Sequence, residues 1–198
     1  MKLIYSLTSP YARKVRILVI EKGLDAAIEH VIASSLAEPE KVIPANPLGK
    51  IPVLLTDTGA LYDSPVICEY LDNLVGNLLL PASGANRWTI LRVQALADGI
   101  MDAAFSIVME QLRPEPERSS AWRERWRAAI LRATADANRD FPRLADRFDL
   151  GQIAMAAALG YLAFRLPDID WQTDSPSLAT WWDETCKRAS VLATTPPV

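Results

Sequence analysis

Histidine occurs once, at His30, and cysteine twice, at Cys68 and Cys186. That supply cannot build a Cys/His zinc cage, a C-x-x-C redox pair or a disulfide framework, so no metal is expected and a reducing, cytoplasmic setting fits. A Ser-His-Asp triad would have to recruit His30 from inside an expected strand, where a structural role suits it better. Glycine is scarce, with eight in 198 residues, and neither G-x-G-x-x-G nor G-x-x-x-x-G-K-[ST] occurs. The common nucleotide-cradling loops are therefore excluded. Basic residues number 21 and acidic residues 24, a net charge of -3, which leaves no positive excess to hold nucleic acid. Long apolar runs are missing too. The longest low-charge stretch, Ile153 to Phe164, has the length of a core helix and falls well short of the roughly 20 residues of a membrane span. Met1 to Ser9 has none of the pattern of a signal peptide.

What remains is a chain that is 50% hydrophobic and 23% charged, enough for one large domain or two small ones. Usage changes near residue 80: all six tryptophans follow Pro81, and beyond it every basic residue but Lys187 is arginine. Before the break, short strand-like runs alternate with helical ones. Lys2 to Ser6 reads as a strand, Pro10 to Lys22 as a helix stopped by Gly23, and Ile28 to Ile32 as a strand. Pro52 to Leu55 and Ala60 to Tyr62 follow as strands, then Pro65 to Leu74 as a helix. The β-α-β then β-β-α order predicts a parallel crossover, then a hairpin, in a small mixed sheet. Ser9-Pro10 and Ser64-Pro65 each place a capping hydroxyl ahead of a proline at the first helical position. Each helix thereby aims a positive dipole end at whatever lies in front of it.

Past a Gly/Pro/Asn-bearing linker at 77–86, helical patterns take over. Arg87 to Leu112 carries apolar residues at Leu91, Ala95, Met101, Phe105, Val108 and Met109 and is ended by Pro114 and Pro116. Trp122 to Phe148 reads as a second long helix with a break near Pro142. Asp149, with Gln152 three residues on, predicts a capping box ahead of the nearly uniformly apolar helix Ile153 to Phe164. Ser175-Pro176 opens a further short helix, and Thr194 to Val198 reads as a proline-bearing tail. The arginines from Arg113 to Arg132 alternate with Glu115, Glu117 and Glu124 and form a solvated face.

Three separated strings stand together in order: Thr8-Ser9-Pro10-Tyr11-Ala12-Arg13-Lys14-Val15-Arg16, Asn46-Pro47-Leu48-Gly49-Lys50-Ile51-Pro52-Val53-Leu54, and Tyr62-Asp63-Ser64-Pro65-Val66-Ile67-Cys68-Glu69-Tyr70-Leu71. In order and spacing they resemble the amino-terminal half of cytosolic glutathione transferases. The stretches Ala95 to Ala103 and Ile153 to Leu162 resemble the family's fourth and sixth helices, particularly in small bacterial members. The resemblance implies a thioredoxin-like α/β domain over 1–76, a linker at 77–86 and an all-helical domain over 87–198. It also implies a homodimer, with glutathione as co-substrate and a small-molecule electrophile as second substrate.

The same resemblance assigns roles. Ser9 aligns with the position that activates the glutathione thiol, although its residues alone also read as a plain helix cap, and Thr8 is a competing hydroxyl. A hydrogen bond to a charged group is worth roughly 1.5 to 3 kcal/mol, which lowers a thiol pKa by about one to two pH units. The thiolate fraction at neutral pH would then rise from a few per cent to roughly a third or more. Ile51-Pro52 is the family's cis peptide, where the backbone of Ile51 can meet a bound tripeptide in the manner of an edge strand. Lys50 beside it either pairs with the ligand's glycine carboxylate or is simply solvated. Asp63 and Ser64 correspond to the pair that holds the γ-glutamyl end, Asp63 facing the ammonium and Ser64 the α-carboxylate; Asp63 is shorter than the Glu of many relatives. Cys68 reads as a small buried hydrophobe. Tyr11, Met101, Phe105 and Met109 are candidates for an apolar electrophile pocket, while the Met and Phe stripe also reads as core or dimer interface. With serine at position 9, the attacking thiol of the family's disulfide-reducing members is missing. Conjugation is the activity implied, with a glutathione-dependent isomerase or lyase and a non-catalytic interaction protein as alternatives.

Overall fold

The computed structural model describes residues 1–144 and 148–197. The chain forms two compact units, one of residues 1–87 with 189–198, the other of residues 88–188.

The first unit contains β1 (Lys2–Tyr5), α1 (Pro10–Glu21), β2 (Glu29–Ile32), a short α2 (Pro39–Val42), β3 (Val53–Thr56), β4 (Gly59–Leu61) and α3 (Ser64–Leu74). The sheet order is β2-β1-β3-β4. β1 pairs parallel with β2, Leu3 facing His30, and antiparallel with β3, Leu3 facing Leu54. β3 and β4 form the expected hairpin. It is tighter than the sequence suggests, because the hydroxyl of Thr56 accepts from the N–H of Thr58 and donates to the carbonyl of Gly59. Leu3 and Ile4 are both buried, and since neighbours on a strand face opposite ways, both faces of the sheet are covered. One face holds Ile4, Ala33, Val42 and Val53, with Ile51 and Tyr62 packed at the margin.

α1 is withdrawn from solvent over most of its circumference: Ala12, Val15, Ile17, Leu18 and Val19 are buried, and so are Arg13 and Lys14. It stops where the sequence places the stop. Gly23 adopts φ +65, its N–H donates to the carbonyl of Ile20, and the N–H of Leu24 reaches back to Val19. This is a Schellman ending, in which glycine carries no Cβ penalty. His30 is placed structurally, with Nε2 at 3.0 Å from Asp25 and its ring edge-on to Tyr5.

The second unit is built from α4 (Ala85–Gln111), which begins in the last residues of the first unit, with α5 (Ser120–Leu144), α6 (Leu150–Arg165) and α7 (Pro176–Thr185). α5 continues through Pro142 to Leu144; residues 145–147, at the expected far end of that helix, lie outside the described residues. α6 is buried from Leu150 to Leu162 and opens with the predicted capping box: Asp149 accepts from the N–H of Gln152, and Gln152 accepts from that of Asp149. Gly151 allows α6 to approach α4, since a Cβ there would stand 3.0 Å from the carbonyl of Ile90 and 2.9 Å from Cβ of Val93. Among the described residues no helix is long and apolar enough to cross a membrane.

The face of α4 and the placement of the last residues differ from what the sequence suggests. The buried stripe of α4 runs through Val93, Ala97, Ile100, Met101, Ala104 and Ile107, while Ala95 and Phe105 are exposed. The pattern misleads because α4 carries apolar residues on more than one face. Ser175-Pro176 opens α7 as expected, with Ser175 at the cap position and its buried hydroxyl making no capping bond. Ahead of the expected tail, which begins at Thr194, the chain forms α8 (Ala189–Ala193), and residues 189–198, read from sequence with the helical domain, count with the first unit. The cause is a long-range contact: α8 packs on α1, and the buried Arg13 donates to the carbonyl of Val191.

Candidate functional site

β1 leads into α1 through Ser9, the preceding residue of β3 is Pro52, and β4 leads into α3 through Asp63. Because β3 is antiparallel to both β1 and β4, the end of β1, the start of β3 and the end of β4 fall at one end of the sheet. Three strings distant in sequence are thus brought to one end of the first unit by topology alone.

Ser9 is the N-cap of α1, with extended backbone (φ −76, ψ 124). Its Oγ accepts from the N–H of Ala12 at 3.2 Å, and its carbonyl accepts from the N–H of Arg13 at 2.9 Å. Accepting an N–H uses a lone pair of the hydroxyl and leaves its proton to donate elsewhere. The cap and the donor readings of Ser9 are therefore compatible in one conformation. Pro10 supplies the first helical residue, where a missing N–H is harmless. Thr8 and Tyr11 are half-buried.

The Ile51-Pro52 peptide is cis. The loop in front of it is held by Asn46, a buried residue whose Nδ2 donates to the carbonyl of Lys50 at 2.8 Å and whose Oδ1 accepts from the N–H of Leu48 at 3.0 Å. Gly49, at φ +63, completes the turn. Among the described residues no backbone group pairs with the N–H or carbonyl of Ile51, which leaves both for an extended peptide. Asn46 is thus a positioning residue for the cis peptide, and its only mark in the sequence is an Asn-Pro ahead of a glycine turn. Lys50 is exposed, with its carbonyl fixed and its ammonium at the surface.

At the third helix the sequence reading placed the cap on Ser64. In the structure Asp63 occupies the cap position, with φ −92 and ψ −163, and Ser64 is the first helical residue, 2% exposed. The extended backbone of Asp63 decides the matter, because a cap must have non-helical φ and ψ. The carboxylate of Asp63 makes no capping bond and is exposed, so it remains open to a cation. The peptide between Tyr62 and Asp63 is also cis.

The pocket candidates on α4 are scattered. Met101 is 0% exposed, Phe105 is 38% exposed and Met109 is half-buried, so helical spacing alone does not give the three a common environment. Cys68 is fully buried, as expected of a small hydrophobe.

The glutathione S-transferase N-terminal domain profile matches residues 8–74, the span that contains all three strings. Over its whole length the chain is 37% identical to the uncharacterised GST-like protein YibF of Escherichia coli strain K12, covering 99% of that protein. A glutathione transferase family member from Pseudomonas fluorescens Pf-5, solved with bound glutathione, superposes with a TM-score of 0.95 at 43% identity, covering all of this chain and 99% of that one. A glutathione S-transferase from Methylobacillus flagellatus KT with bound glutathione gives 0.91 at 41% identity, covering 99% of each. The thioredoxin-like sheet, the helical unit that follows it in the chain and the full-length kinship place the chain in the glutathione S-transferase family.

Proposed function

We propose that this protein is a glutathione transferase that binds glutathione at the end of the sheet that carries Ser9, Ile51-Pro52 and Asp63-Ser64 and activates its thiol for attack on a small apolar electrophile. The observation that carries the reading is the hydroxyl of Ser9, which accepts from Ala12 and keeps its proton to donate. A thiolate placed there would receive that hydrogen bond and face the positive end of α1. Ile51 would pair through its free backbone groups with the peptide of the ligand, and Lys50 would meet its glycine carboxylate. The exposed carboxylate of Asp63 would hold the ammonium of the γ-glutamyl end, with Ser64 and the first N–H groups of α3 on the α-carboxylate. Tyr11, Met101, Phe105 and Met109 are the residues proposed for the electrophile, of which Met101 is fully buried within its own unit.

Rate would come from two sources, a larger thiolate fraction and the proximity of sulfur to the bound electrophile. The proposed setting is a cytoplasmic homodimer with a detoxifying role. The exposed apolar residues Leu36, Ile43 and Leu48 in the first unit are in keeping with a further subunit contact.

The test is a spectrophotometric titration of the thiol of bound glutathione, with turnover of an aryl halide measured alongside. The wild-type protein is expected to bind glutathione, to lower its thiol pKa by about one to two pH units and to form the conjugate. Ser9→Ala is expected to bind but not to lower the thiol pKa. No binding of glutathione at tens of millimolar would end this reading.

A further inference from the structure

We propose that residues 189–197 form a brace that fixes α1 and so sets the position of Ser9, with Arg13 as the positioning residue. The proposal rests on the glutathione reading for what Ser9 does, and on contacts independent of that reading for how Ser9 is held.

Arg13 lies one helical turn beyond Ser9, and its backbone N–H donates to the carbonyl of Ser9 at 2.9 Å. Its guanidinium is buried, the residue being 4% exposed. Nη2 donates to the carbonyl of Val191 at 3.1 Å and Nε reaches the hydroxyl of Thr194 at 3.5 Å. A turn further along α1, Nη1 of Arg16 reaches the carbonyl of Thr194 at 3.5 Å. At the far end of the helix the carboxylate of Glu21 accepts from the hydroxyl of Ser190. Thr194 is fully buried. The C-terminal segment is thus fastened to α1 at three levels.

These hydrogen bonds of Arg13 end on neutral oxygens, near the carbonyl end of α8, where a helix favours a cation. Burial, with Arg16 adding repulsion, lowers the Arg13 pKa to about 10. An apolar side chain of similar size would avoid the cost of burying a charge. What the guanidinium adds over such a side chain is direction, since its planar fork spans two acceptors at set angles. That direction is passed to the first turn of α1, whose cap is Ser9. Donor geometry of this kind is sensitive, because a misplacement of about 1 Å at a reacting group costs on the order of a hundredfold in rate.

The test compares the full-length wild type with Arg13→Met, Arg13→Lys and Thr194→Val, reading the thiol pKa of bound glutathione, the glutathione Kd and the melting temperature. Arg13→Met leaves no acceptor stranded, because the hydroxyls of Thr194 and Thr195 also donate to the carbonyl of Val191. It is expected to raise the thiol pKa by about half a pH unit or more, roughly a threefold loss in the ratio of thiolate to thiol. Arg13→Lys should behave like Arg13→Met, since one ammonium keeps the charge but not the fork. Thr194→Val should shift the pKa in the same direction by less. A purely structural role would lower the melting temperature and leave the thiol pKa alone. A wild-type thiol pKa in Arg13→Met overturns the brace and spares the glutathione reading; so does full rescue by Arg13→Lys, which would assign the effect to charge. Absence of any pKa lowering in the wild type removes the glutathione reading and the brace with it. Should Arg13→Met fail to fold, Thr194→Val decides, an unchanged thiol pKa there counting against the brace.

Discussion

The ammonium of Lys22, just past the end of α1, donates to Oδ1 of Asp72 on α3 at 2.7 Å, and the two side chains are 4% and 1% exposed. The same carboxylate accepts the N–H groups of Leu78, Leu79 and Leu80. One buried aspartate therefore ties α1 to α3 and fixes the segment that follows α3. Removing one partner of such a pair strands the other charge and, here, three backbone donors as well. Asp72→Ala is expected to destabilise the first unit by about 3 to 5 kcal/mol. Urea unfolding would check this; a loss below about 1 kcal/mol would mean that water reaches the pair.

Asp63 offers the opposite case. Its carboxylate makes no capping bond and is exposed, so Asp63→Ala should leave the melting temperature close to that of the wild type. If it holds the γ-glutamyl ammonium, glutathione affinity should fall about tenfold or more, the worth of one charge-assisted hydrogen bond. Calorimetric titration beside a thermal melt separates the two effects. Unchanged affinity would take Asp63 out of the site.

Much of this was legible in the chain because the cues are local. Ser9-Pro10, Gly23 and the Asp149/Gln152 box each act within a few residues, and the structure places a cap, a stop and a box there. Ser64 and Asp63 exchanged parts, since two adjacent polar residues before a proline both suit a cap and only the backbone angles choose between them. Asn46 was passed over because its work is to hold a loop, which leaves no periodic trace. The stripe of α4 and the docking of α8 were not readable at all. Both depend on which distant surface covers a helix: Phe105 is exposed and Ile107 buried through packing, and Thr194 is buried where it meets Arg13, 181 positions earlier in the chain.

Gly151 is a packing requirement that its sequence position, inside the first turn of α6, conceals. A methyl group there would meet the backbone carbonyl of Ile90 at 3.0 Å and Val93 at 2.9 Å, and a backbone atom cannot swing aside. Gly151→Ala should therefore destabilise by about 1 to 3 kcal/mol, even though alanine is the better helix former. Chemical denaturation followed through the tryptophans of the second unit reads this directly. A variant as stable as the wild type would show that α4 and α6 can part slightly at no cost.

Asp168 provides the clearest acid-dependent contact. Nη1 of Arg127 donates to its carboxylate at 2.8 Å, and Nη2 donates to its carbonyl at 2.7 Å. That hydrogen bond holds the carboxyl below its ordinary value; burial opposes it, and backbone bonding and the charges of Arg127 and Arg123 add to the lowering. A carboxyl whose folded pKa is depressed binds its proton more readily in the unfolded chain. The stability it contributes is complete above the ordinary carboxylate range and is lost as the pH falls through the depressed value. The Asp168 side chain is 68% exposed and that of Arg127 35%, so solvent screens the pair and its contribution is expected to be at most about 1 kcal/mol. Asp168→Asn should lower the melting temperature slightly at pH 7 and bring it level with the wild type at low pH. The gap should also shrink in high salt. A difference that persists unchanged into strong acid would assign the effect to the amide's packing or hydrogen bonds rather than to the charge of Asp168.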